Sequence, residues 1–401
     1  MSYDIIVIII ILTILLIHYL DGYFLNYYFH HKIFHGNLHE LYFDNNAHVY
    51  PSKAVQNAIM SACHLGNPSA AYACEARAKI DEFKKALLQL FGMPDGVCII
   101  TSGASEANGF LKSFRRIVCS DFEHKSIMTL PGVYVQKTTP FGPRPCDFEP
   151  EYGNVVSVMA CNNETGDFYD VENIARKCHE LGAYFHTDAT QYFGKMTKPL
   201  AEVDYVTISM HKIGGPLGVG AFLSRNRTLA ALLCAQITGT QNGGLRGGTE
   251  NVPAIAGALC SLSALHNRPQ KNIKLQDICS SFMEMLLKYR KLCRDVNVKT
   301  VEENSVMFLS RTSINTVLVS FINKPGPVFC NIKFRNALAE RNVKVSIGSA
   351  CNTGVQGPSH VLLAMKLPYH IRRGVVRFSF YDENHLSDIR DFETRCFDLL
   401  Y

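Results

Sequence analysis

Four strongly apolar runs between positions 97 and 209 each stop at a cluster of polar residues. Val97 to Thr101 runs into Ser102-Gly103-Ala104-Ser105-Glu106-Ala107-Asn108, and Val155 to Cys161 into Asn162-Asn163-Glu164-Thr165-Gly166. Tyr184 to Thr187 stops at Asp188-Ala189-Thr190-Gln191, and Val203 to Ser209 at Met210-His211-Lys212 before a glycine-rich stretch. Short apolar runs bounded by turn residues predict buried strands. Between the second and third, Val171, Ile174, Ala175, Cys178 and Leu181 recur at helical spacing, and Gly182 closes that helix. Strand, helix, strand is the crossover that a parallel pair requires. Later, Leu259 to Tyr289 reads as mainly helical and leads to strands at Thr316 to Phe321 and Val375 to Phe380. With 401 residues the chain exceeds one ordinary core. It divides into an N-terminal segment (1–36), a large α/β domain (37–265) and a smaller domain (266–401).

Lys212 is the hardest of these residues to explain by packing. A lysine at the carboxyl end of a buried strand occupies the edge where open α/β sheets bind ligands. Burial there lowers its pKa and suits it to Schiff-base chemistry. A solvated lysine at a strand end is the plain alternative. The turn Ser102-Gly103-Ala104-Ser105 feeds a helical pattern, and its free N–H groups and positive dipole end suit a phosphate. Taken singly, Asp188 is a helix cap and Asn163 a turn residue. If the strands are parallel, a phosphate cradle, an amide, a carboxylate and a lysine converge on one edge.

Further motifs accompany these in order: Asp44-Asn45-Asn46-Ala47, Gly66-Asn67-Pro68-Ser69, Glu123-His124-Lys125, Leu245-Arg246-Gly247-Gly248-Thr249-Glu250-Asn251, Ser349-Ala350-Cys351 and Val376-Arg377-Phe378-Ser379. From about Leu41 to about Leu386 the series resembles the cysteine desulfurases of the NifS and IscS type, which are class V pyridoxal-phosphate enzymes. A narrower likeness is to the membrane-anchored NifS-like proteins of large cytoplasmic DNA viruses. The resemblance implies fold type I, with a mostly parallel large-domain sheet covered by helices on both faces and a smaller α+β domain, in a homodimer. It also implies that Lys212 holds pyridoxal 5′-phosphate as the internal aldimine and then moves the substrate Cα proton. Asp188 would pair with the pyridinium nitrogen, Gln191 with the ring hydroxyl, and His124 would stack on the ring and carry protons. Ala104, Ser105, Ser209 and His211 would hold the phosphate, with Thr249 reaching the neighbouring subunit's phosphate. Asn163, beside the cofactor, and Arg377 would receive the carboxylate of L-cysteine, for which a planar guanidinium is well shaped.

Cys351 separates this enzyme from its relatives. A transaminase needs only the lysine, whereas a desulfurase needs a thiolate that takes the sulfur as a persulfide and passes it to a protein acceptor. Cys351 lies in a small, polar, glycine-flanked segment that reads as a loop, while Cys98, Cys161 and Cys178 read as buried hydrophobes. The rival readings are a selenocysteine lyase, another class V enzyme, or a degenerate scaffold that binds partners through the old fold. A scaffold would need none of Lys212, Asp188, His124, Cys351 and Arg377 together. Four departures stand beside the matches: His48 and Ser105 replace threonines, Gly247 a serine, and Met210 the glycine before His-Lys. Met210, a bulky side chain beside Lys212, puts the shape of the cleft floor in question.

Composition adds boundaries. A net charge of +5 without a basic block interleaved with aromatics gives no expectation of nucleic acid. The 14 cysteines contain no Cys-x-x-Cys pair, so neither a metal site nor a disulfide framework is expected, and a reducing compartment is. Ile5 to Ile17 is almost wholly aliphatic and is followed by tyrosines and Lys32. That pattern predicts a single N-terminal transmembrane helix with the catalytic domain facing the cytosol.

Overall fold

The structure, a computed structural model, describes residues 39–400 apart from 197, 266–267, 295–302, 324–326 and 349–358. A short strand, β1 (Leu41–Tyr42), precedes the largest sheet. That sheet contains β2 (Val97–Thr101), β3 (Ile117–Ser120), β4 (Val133–Gln136), β5 (Val155–Ser157), β6 (Tyr184–Asp188), β7 (Tyr205–Ser209) and β8 (Gly220–Ser224). Their order is β2-β8-β7-β6-β5-β3-β4. Pairings from β7 through β4 are parallel, and β8 runs antiparallel to both β7 and β2. Two reversals cancel, so β2 points the same way as β5, β6 and β7. The four polar clusters therefore meet at one sheet edge.

Alternation along these strands explains why both faces are covered. Cys98, Ile100, Val118, Val156, Val206, Ile208, Ala221 and Leu223 enter one core, with the helices Cys74–Leu90, Val171–Glu180 and Val252–Ser263. The intervening Ile99, Ile117, Cys119, Val155, Tyr205 and Phe222 enter another, with Phe110 and Leu111. A sheet buried on both faces reads as a continuous apolar run, as these do. The helix Val171–Glu180 buries Val171, Ile174, Ala175 and Cys178, and Gly182 behind it takes φ +70°. The run predicted from Val155 pairs as a strand only to Ser157, but Val158 and Ala160 still donate N–H bonds to His186 and Asp188 carbonyls.

A second unit contains β9 (Lys291–Leu292), β10 (Ser305–Phe308), β11 (Thr316–Ile322), β12 (Val343–Lys344) and β13 (Val375–Ser379). The sheet β13-β11-β10-β9 packs against the helices Arg268–Tyr289 and Leu386–Leu400 around Phe282, Phe321, Phe378 and Phe392. β1 pairs with β12, and Leu41 and Phe43 lie in this core. The described residues thus begin in the second unit, and the turn after β1 carries Asp44, Asn46 and Ala47 to the edge of the large sheet.

The expected N-terminal transmembrane helix, and the membrane-anchored placement built on it, are corrected. No helix among the described residues is long and apolar enough to cross a membrane. The longest, Arg268–Tyr289, has 22 residues but carries lysines, an aspartate and a glutamate along its length. Residues 1–36, from which the span was read, lie outside the described residues.

Candidate active site

The turn after β2 is shaped by glycine. Gly103 has φ +155°, and a Cβ there would lie 3.6 Å from Ser209 Oγ, so the missing side chain leaves a hollow lined by backbone and hydroxyl. Gly220 of β8 approaches so closely that a Cβ on it would fall 2.6 Å from Gly103 Cα. The helix Ala104–Asn108 that follows has no side-chain cap, so its first N–H groups have no carbonyl one turn back, and Ala104 and Ser105 line the same cleft as Gly103. Glu106 braces the turn: one carboxylate oxygen accepts the Ser102 N–H at 2.7 Å and the other accepts Arg246 Nε at 2.9 Å.

Asp188 ends β6 and is 5% exposed. Asn108 Nδ2 and the Thr190 N–H each donate to its carboxylate at 3.0 Å. Two residues earlier, His186 spans Ser157 Oγ at 2.8 Å and Thr207 Oγ1 at 2.9 Å. Burial pushes its imidazole down to about 4, against the pull of Asp188. A neutral histidine therefore ties β5, β6 and β7 together without adding charge.

Lys212 follows β7 on a short turn and is half-buried. Its Nζ donates to the carbonyls of Asn46 at 2.7 Å and Ala47 at 2.8 Å. Burial, Lys212 and His48 push the neighbouring His211 down to about 3, and burial also lowers His48. Their Nδ1 atoms, 3.3 Å apart, are thus two neutral imidazoles sharing one N–H. Met210 does not line the cleft. It is fully buried in the core with Ile208 and Ile213, and Gly215 makes room for it, since a Cβ there would fall 2.8 Å from Met210 Cβ.

Arg377 is 1% exposed and reaches the cleft from β13. Its Nη1 donates to Asn163 O at 2.6 Å and its Nη2 to the Asp44 carboxylate, while its buried Nε has no protein partner. His124 caps the helix Lys125–Met128, its Nδ1 2.8 Å from Ser126 Oγ. Gln191 Nε2 donates to Asn46 O at 2.8 Å.

Ala104, Ser105, His124, Asn163, Asp188, Gln191, Ser209, His211, Lys212 and Arg377 all line one cleft of about 380 Å³. Thr249 does not line it and is exposed, and Cys351 lies outside the described residues. Sequence reasoning missed Asn46, Asn108 and Lys195. Asn46 gives its backbone oxygen to Lys212 and Gln191, its side-chain oxygen to Lys195 at 3.1 Å and its Nδ2 to Thr316 at 2.9 Å. Asn108 closes a motif already recognised, so its position one turn after Ala104 was the available signal. Lys195 had none, because Gly194-Lys195 looks like any solvated turn.

A parallel sheet with one reversed strand, a lysine past a strand end and a carboxylate at the adjoining one define the fold type I α/β class. Residues 149–392 match the family described as aminotransferase class-V. A cysteine desulfurase of Bradyrhizobium diazoefficiens is 30% identical, covering 87% of this chain and 91% of its own. One of Cereibacter sphaeroides is 31% identical over 85% and 91%. Among solved structures, a NifS-like protein from Rickettsia africae matches with TM-score 0.77 and 25% identity, covering 90% of this chain and 99% of its own. The chain belongs to the class V aminotransferase family, as a cysteine desulfurase of the NifS and IscS type. The narrower likeness to membrane-anchored viral proteins is not shown by these relatives, which are bacterial.

Proposed function

We propose that the cleft binds pyridoxal 5′-phosphate and L-cysteine, that L-alanine leaves, and that the sulfur departs on Cys351 as a persulfide bound for a protein acceptor. The observation that carries this reading is the gathering of the Lys212 amine, the buried Asp188 carboxylate, the glycine turn and the Arg377 guanidinium in one cleft. The residues fit the cofactor. The hollow at Gly103, with Ala104, Ser105, Ser209 and His211 around it, takes the phosphate, and a shared N–H at His48 and His211 leaves an imidazole free to donate. Asp188, held by Asn108 and Thr190, takes the ring nitrogen, Gln191 the ring hydroxyl, and His124 the ring face.

When bound, the cofactor supplies a protonated ring that takes up the negative charge developing at the substrate Cα. Lys212 holds the cofactor through its amine and, once released, moves the Cα proton. Arg377 Nε and Asn163 receive the substrate carboxylate, and the Asp44 pair and Asn163 carbonyl fix the guanidinium plane beforehand. The Cys351 thiolate attacks the substrate sulfur. An S–S bond forms, the C–S bond breaks, and its electron pair stays on Cβ, which gains a proton to become the methyl of alanine.

We take the active form as a homodimer. Thr249 faces solvent, away from the cleft of its own chain, and Tyr50, Met60, Tyr72 and Leu217 are large apolar residues 55–85% exposed. Purified protein should be yellow, and borohydride should fix the cofactor to Lys212. Lys212→Ala should abolish that adduct, whereas Cys351→Ser should keep the colour and its change on adding cysteine but yield neither alanine nor persulfide. Cofactor fixed at another lysine, or alanine formed at the parent rate by Cys351→Ser, would overturn the reading.

A further inference from the structure

Lys195 is a buried cation with no carboxylate partner among the described residues. It is 3% exposed, and its Nζ donates to Gln191 Oε1 at 2.8 Å and Asn46 Oδ1 at 3.1 Å. Beyond burial, Arg377 and Arg268, which share its sign, disfavour its charge further. Their own partners, Asp44 and Asp382, are taken by those arginines. Burial pushes the ammonium down to about 8. An isolated buried ammonium costs stability, and a methionine of similar length would fill the space without that cost. Stability does not explain its presence.

Its two acceptors do. An amide side chain offers a donor end and an acceptor end of almost the same shape, and only its partners decide which end faces a ligand. Lys195 has three donors and no acceptor, so it donates only to the oxygen end of Gln191 and turns the NH2 end outward. One N–H of that group is spent on Asn46 O, and the other is left for the cleft. The same ammonium fixes the Asn46 oxygen, and so the backbone carbonyl that Lys212 shares.

We propose that Lys195 is a positioning residue for the cofactor ring, holding the Gln191 amide so that it gives an N–H, not a carbonyl, to the ring's phenolic oxygen. The inference rests on the cofactor reading above. Reversal of the amide would set an oxygen against an oxyanion, and loss of one hydrogen bond to a charged group costs about 1.5–3 kcal/mol, roughly ten- to a hundredfold in affinity.

The test is a double-mutant cycle on pyridoxal 5′-phosphate binding, with the dissociation constant and the visible absorbance maximum as readouts. Lys195→Met and Gln191→Ala should each weaken binding at least tenfold and displace the band in the same direction, and the double variant should bind no worse than Gln191→Ala alone. Losses that multiply, or a folded Lys195→Met that binds as the parent does, would overturn the proposal. Gln191→Glu guards against a misfolded lysine variant. Its carboxylate gains an ion pair with Lys195 but turns an oxygen, not an N–H, towards the Asn46 carbonyl and the ring, so a folded Gln191→Glu should bind the cofactor as weakly as Gln191→Ala. Parental affinity in a folded Gln191→Glu would refute the assignment. A parent chain that binds no cofactor removes the function reading itself, and this inference with it, whereas a parent that binds normally isolates the role of Lys195.

Discussion

Glu123 is a carboxyl group with no place for its charge. It is fully buried; Ser120 Oγ and the Met159 N–H both donate to Oε1, and Oε2 has no partner. Burial pushes it up to about 8 from 4.5. Below about 4.5 the folded and unfolded chains are both protonated there, and the contribution is whole. Between 4.5 and 8 the unfolded chain releases a proton that the folded chain keeps, so stability falls as pH rises, by about 1.4 kcal/mol per unit at most. Glu123→Gln preserves the Oε1 bonds and should flatten that slope in urea melts from pH 5 to 8; parallel slopes would exclude Glu123 as the cause. Met210 makes a second residue-scale case. Methionine-to-alanine changes in cores cost about 2–5 kcal/mol, and glycine adds backbone freedom, so Met210→Gly should lower the melting temperature while leaving cofactor absorbance unchanged. The sequence shows that position 210 departs from the family, but not which way the side chain points. Lys212, Asp188 and Arg377 were legible because packing alone seldom sets polar residues in or just past apolar strands, whereas Lys195 needs the third dimension to reveal its burial.

At the scale of elements, strands buried on both faces were legible as apolar runs, and the unit from Val155 to Asp188 was readable as strand, helix, strand because its helix keeps a clean stripe and ends at Gly182. β8 escaped notice: Gly-Ala-Phe-Leu-Ser is short, starts on glycine and is the one reversed strand. β1 was hidden for another reason. Two residues pairing with β12, some 300 positions away, leave no local signal. Yet β8 sets the cofactor hollow, because Gly220 lets its backbone touch Gly103. A Cβ at 220 would meet three backbone atoms, two of Gly103 and one of Ile208, within 2.7 Å, and neither neighbour offers a side chain that could swing aside. Overpacking of this kind costs about 1–3 kcal/mol. Gly220→Ala should therefore lower the melting temperature and weaken pyridoxal 5′-phosphate binding together; loss of stability with unchanged affinity would show that the hollow does not depend on this contact.

The whole molecule raises the question of where a site ends. Ten of the expected site residues line the cleft of a single chain, while Thr249 lies exposed on a segment tied back to that cleft through Arg246 and Glu106. If Thr249 serves a phosphate, that phosphate belongs to a second copy, and each site is then made of two chains. Such a division has a consequence that no single-chain role shares. Mix Lys212→Ala chains, which have no amine for the cofactor, with Thr249→Ala chains, which have a weakened cradle. In a mixed dimer the cleft of the Thr249→Ala chain retains Lys212 and receives an intact threonine from its neighbour, so one complete site is rebuilt. The other site carries both defects. Light scattering should first show a dimer, and co-refolded mixtures should regain cofactor affinity and alanine release in proportion to the mixed species, towards one working site per mixed dimer. If Thr249 acted within its own chain, every cleft in the mixture would keep the defect of its parent, and mixing would restore nothing.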